Sequence, residues 1–85
     1  MRLTSAPHCS LDVDGEGVHF KMDTGTKLIP CLVTRDALIA RASRDGLETR
    51  DQGVIFGLFR GAIEAVARVQ FEAGISHPLV SRGQV

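Results

Sequence analysis

Cys9-Ser10-Leu11-Asp12-Val13 alternates apolar and polar side chains, and Val18-His19-Phe20-Lys21-Met22 does so again. A period of two is that of a strand with one buried face. Asp14-Gly15 between them suits a two-residue hairpin turn, whose central positions both favour positive φ. Asp23-Thr24-Gly25-Thr26 punctuates the chain a second time, and 27–33 reads as a third, more uniformly apolar strand. The pattern predicts a three-stranded antiparallel meander. With Asp14-Gly15 and Thr24-Gly25 as turn centres, Leu11 faces Val18, Cys9 faces Phe20, Phe20 faces Ile29 and Val18 faces Cys31. Paired residues share a face, so Cys9, Leu11, Val13, Val18, Phe20, Met22, Ile29, Cys31 and Val33 line one apolar surface. Ser10, Asp12, His19, Lys21, Leu28, Pro30 and Leu32 fall on the other. Pro30 has no N–H for a ladder and marks the third strand as an edge.

The period then changes. Thr34 is a suitable N-cap, with Asp36 in the first turn, for a helix over 35–43 that buries Leu38, Ile39 and Ala42 and stops at Asp45-Gly46. Thr49-Arg50-Asp51-Gln52 has the form of a capping box. The helix it introduces carries Ile55, Phe59, Ala62, Ile63, Val66, Val69 and Ala73 along one stripe. Arg60, Glu64, Arg68 and Glu72 alternate in sign along the other, and Gly74 ends the helix. Gly57 and Gly61 weaken it enough to predict a kink or a break between them. Leu79-Val80, between Pro78 and Gly83, is the candidate for a short C-terminal strand. Residues 1–8 show no period and are expected to fray. The fold class is therefore α+β, a three-stranded meander backed by two helices, within one domain over 1–85.

Composition narrows the function classes. The 85 residues are 44% hydrophobic and 24% charged, and ten basic side chains balance ten acidic ones. A dedicated nucleic-acid binder advertises a basic excess, which this chain lacks. The longest apolar run, 28–33, is far shorter than the ~20 residues of a membrane span, and Arg2 is followed by no apolar leader core. The expected compartment is the cytoplasm, with Cys9 and Cys31 as reduced thiols.

Val18-His19-Phe20, Ile29-Pro30-Cys31, Thr34-Arg35-Asp36-Ala37-Leu38, Phe56, Arg60, Ile63-Glu64-Ala65-Val66-Ala67 and Phe71-Glu72-Ala73-Gly74 occur in that order over most of the chain. In this the sequence resembles a bacterial family, domain of unknown function 1488. Phe59 departs from the pattern, standing where that family has Asn before the Arg. The resemblance implies an α+β fold and no assigned activity.

Each candidate site has a plainer reading. Asp12, Asp14, Glu16 and Asp23, with Gly17, match the oxygen-ligand spacing of a calcium loop. Against this stand Asp in place of the final Glu, His19 at the central aliphatic position and the lack of flanking helices; an acidic hairpin tip explains the residues as well. Cys9, Cys31, His8, His19 and His77 lack zinc-site spacing. The two cysteines lie on strands separated by a third, ~9–10 Å apart and beyond disulfide reach. Ser76-His77-Pro78 has no carboxylate behind it, and Gly15-Glu16-Gly17 is not placed between strand and helix as a phosphate loop would be. No catalytic constellation and no cofactor motif is found. Arg35, Arg41, Arg44 and Arg50 surround the first helix as candidate phosphate contacts, diluted by Asp36, Asp45, Glu48 and Asp51. Gly57, Gly61 and Ala65 form a small-residue line suited to close helix contact, favouring the first helix over a second copy of the chain.

These observations point to a non-enzymatic interaction module that self-associates or binds a protein partner. Leu28, Pro30, Leu32, Gly57 and Gly61 are its candidate contacts, because the outer face of the third strand is apolar. The alternative is weak nucleic-acid binding through the arginine-bearing first helix.

Overall fold

The computed structural model describes residues 3–6 and 10–85, and among these five strands and two helices form an α+β architecture with one mixed sheet. In chain order the elements are β1 (Thr4–Ser5), β2 (Asp12–Val13), β3 (Gly17–Asp23), β4 (Leu28–Thr34), α1 (Arg35–Arg44), α2 (Gln52–Glu72) and β5 (Leu79–Val80). The expected meander is β2-β3-β4. Two strands extend it: β1 pairs antiparallel with β3 beside β2, and β5 adds in parallel to β4.

Both hairpin registers differ by two residues from the expected ones. Val13 pairs with Val18, Phe20 with Cys31 and Met22 with Ile29. The Asp side chains set this. Asp14 Oδ1 accepts from the Glu16 and Gly17 amides at 2.8 and 3.3 Å, so Asp14 flanks the turn and Gly15-Glu16 forms its tip. Asp23 Oδ1 accepts from the Gly25 amide at 2.7 Å, and Thr24 Oγ1 accepts from the Lys27 amide, which lengthens the second loop to 24–27. A slip of two preserves side-chain parity. Val18, Phe20, Met22, Ile29, Cys31 and Val33 therefore still share the buried face. Leu11 and Val13 do not join it; they are exposed because β2 is two residues long and lies at the margin. The position expected for Cys9 lies outside the described residues.

Residues 3–6 do not fray. Leu3 and Ala6 are fully buried, and Thr4 and Ser5 pair with Asp23 and Met22. Met1, Arg2, Pro7 and His8 lie outside the described residues. The third strand is not the edge expected, because β5 pairs with it at Leu32 and Val33; only the part around Pro30 runs past the end of β5. The Leu32 amide donates to the Pro78 carbonyl on the β5 side at 3.1 Å. Pro30, two residues earlier, aims its hydrogen-free nitrogen the same way, beyond the end of β5. The outer margin of β5 is occupied by a side chain: Gln70 Oε1 accepts from the Leu79 amide at 2.8 Å and Gln70 Nε2 donates to the Leu79 carbonyl at 2.7 Å.

The helices cover one face of the sheet. Thr34 caps α1 by accepting from the Ala37 amide at 3.1 Å, and Gly46, at φ 76°, follows the last turn. Ala37, Leu38 and Ala42 are buried, while Ile39 is half-buried. The N-cap of α2 is Asp51, which accepts from the Val54 amide at 3.2 Å; Thr49 instead takes the Asp51 amide. The kink expected between Gly57 and Gly61 occurs at Phe59, at φ −113° and ψ 19°.

The buried face of α2 is rotated from the expected stripe. Ile55 and Ile63 are buried as expected and Phe59 and Val66 partly so, but Ala62, Val69 and Ala73 are exposed; Phe56, Glu64 and Ala67 are buried instead. Apolar residues lie on both sides of this helix, so its period alone does not choose a face. The Phe56 ring, 5.1 Å from that of Phe20, makes the choice.

Gly17 joins sheet to helix. At φ 149° it begins β3 against the β4–α1 junction, where an added Cβ would stand 2.0 Å from the Val33 carbonyl oxygen. The Arg35 amide donates to the Glu16 carbonyl beside it, at 2.9 Å.

Candidate functional site

The acidic candidates serve the hairpin turns. Asp14 caps its own turn through Oδ1 and bonds His19 Nε2 through Oδ2 at 3.0 Å. The Glu16 amide, then His19 and the Gly17 amide, hold its carboxyl below the usual carboxylate value, against a smaller opposing effect of desolvation. Asp23 caps the other hairpin, at the far end of the seven-residue β3, about 20 Å away at strand rise. Asp12 pairs with His19 on β2, and Glu16 is exposed at the tip. The structure thus separates the would-be calcium ligands, and no group of three His, Cys, Asp or Glu side chains converges among the described residues.

The four arginines are dispersed. Arg41 lies 4.6 Å over the Phe59 ring and pairs with Asp45 at 3.5 Å, while Arg44 donates to the Val85 carbonyl at 2.8 Å. Arg35 is at the start of α1, and Arg50 lies outside it, beyond the loop that follows its end.

Cys31 and His19 border the same shallow grooves, yet strand parity separates their reactive atoms. Cys31 pairs with Phe20 on the helix-covered face, and His19 pairs with Leu32 on the open one. The Cys31 thiol lies 3.5 Å from the Ile29 carbonyl, and burial, reinforced by the Glu64 carboxylate, pushes its pKa up to about 12. A thiol held protonated in this way is a poor nucleophile.

One buried polar cluster escaped the sequence reading. Glu64 is 6% exposed, and its Oε2 accepts from Arg60 Nε at 3.1 Å and from the Ser5 hydroxyl at 3.0 Å. Arg60 also lies 5.3 Å over the Phe56 ring, and Arg68 Nε donates to the Leu3 carbonyl at 2.9 Å. Two of the charges that alternate at i, i+4 along the helix, Glu64 and Arg68, are the clamp that holds β1. The missed signal was Leu3-Thr4-Ser5-Ala6, which is too short to show a period. Closed by β1 and with Arg60 over the Phe56 ring, the cluster ties α2 to the N-terminal strand.

Two apolar surfaces remain, on opposite sides of the molecule. On the open sheet face, Leu28 and Pro30 are exposed and Leu32 is half-buried. Leu79 continues this band, and a groove of about 340 Å³ runs along it past His19, His77 and Pro78. On the far side, Gly57 and Gly61 do not contact α1: both are exposed, and a Cβ at either would meet nothing within 4 Å. The glycine line faces away because Phe56, Ile63 and Ala67 face the sheet. Val54, Leu58 and Val69 flank it, exposed by 50, 60 and 66%.

Among the described residues, no helix is long and apolar enough to cross a membrane. The family model described as "Protein of unknown function (DUF1488)" matches residues 6–79. No curated protein and no solved structure matches the chain. The chain belongs to the DUF1488 family.

Proposed function

We propose that this member of the DUF1488 family is a non-enzymatic protein-interaction module. One observation carries the reading: α2 is apolar on two sides and buries only one. A helix that is hydrophobic all round is normally enclosed. Here Val54, Leu58 and Val69 remain in solvent around a line of glycine and alanine, a surface better suited to another protein than to water. The open sheet face, with Leu28, Pro30, Leu32 and Leu79, is a second and smaller candidate. The dispersal of Arg35, Arg41, Arg44 and Arg50 lends less support to nucleic-acid binding, which requires several cations along one phosphate track.

The test is size fractionation of an extract from cells that make the protein naturally. A chain acting through partners elutes above its monomer mass, and Leu58→Glu returns it toward the monomer position. Elution of the native chain at monomer mass alone, confirmed after mild cross-linking, would overturn the proposal.

A further inference from the structure

We draw no further inference here: the strongest candidate, the groove along the open sheet face between His19 and His77, lies on the apolar band of β4 and β5, nothing in the structure shows what covers it, and no third ligating side chain joins the two imidazoles among the described residues.

Discussion

Removing the Glu64 carboxylate perturbs two elements at once, because it joins α2 to itself through Arg60 and to β1 through Ser5. Its side chain is 9% exposed and that of Arg60 is 27% exposed, so Glu64→Ala strands a guanidinium that keeps only partial access to water. Breaking a buried pair costs about 3–5 kcal/mol, and the residual exposure of Arg60 brings this one below that range, to about 2–3 kcal/mol. The orphaned Ser5 hydroxyl adds up to about 1 kcal/mol. A chain of 85 residues is stable by about 4–13 kcal/mol, so the substitution removes a large fraction of the total. Urea unfolding followed by circular dichroism is the assay; with a slope near 1 kcal/mol/M, the midpoint falls by roughly 2–4 M. The companion variant, Arg60→Leu with Glu64→Leu, leaves no charge unpaired and is expected within about 1 kcal/mol of the wild type. A Glu64→Ala midpoint within about 0.5 M of the wild type, or a double variant weaker than the single one, refutes the account of Glu64 as the clamp on β1.

Gly17→Ala is expected to cost at least about 3 kcal/mol, since its Cβ would stand 2.0 Å from the Val33 carbonyl oxygen and neither backbone can yield cheaply. Gly57→Ala, with open space around it, is expected to gain about 0.5–1 kcal/mol, so equal thermal midpoints for the two variants would contradict the packing described. Cys31 makes stability fall in alkali. Its thiol is raised from an ordinary 9.0 to about 12, so its contribution is complete below pH 9 and is lost as pH rises through that interval. The loss is up to about 1.4 kcal/mol per pH unit. The chain has no Tyr to titrate there, and in a Cys9→Ser background Cys31→Val should flatten the profile; an unchanged slope would remove Cys31 as its cause.

Side-chain parity was legible because it survives error. Both registers are displaced by two residues, yet Phe20 and Cys31 still face inward and His19 outward, since an even slip leaves the pleat unchanged. The displacement itself was not legible. It depends on which backbone amides Asp14 and Asp23 capture, and a turn dipeptide does not state that. The orientation of α2 was hidden for a different reason. With Leu58, Ala62 and Val69 on one side and Phe56, Ile63 and Ala67 on the other, two stripes satisfy the helical period, and only tertiary contact with Phe20 selects one. β1 and β5 are two residues each, below the length at which alternation can be read; Leu79-Val80 was legible only through its flanking Pro and Gly. For the candidate site, Gly57 and Gly61 were identified as a contact line, but the surface they face required the structure.

The grip of Gln70 on Leu79 governs whether the sheet can be extended past β5. With both main-chain groups of that residue already engaged, the β5 margin has nothing left to template an incoming polypeptide, and Pro30 withholds a donor from the stretch beyond it. Indefinite growth by adding strands, the route to fibrils, is blocked there. Any strand that joins the sheet has to do so at the opposite margin, formed by the two short strands β1 and β2.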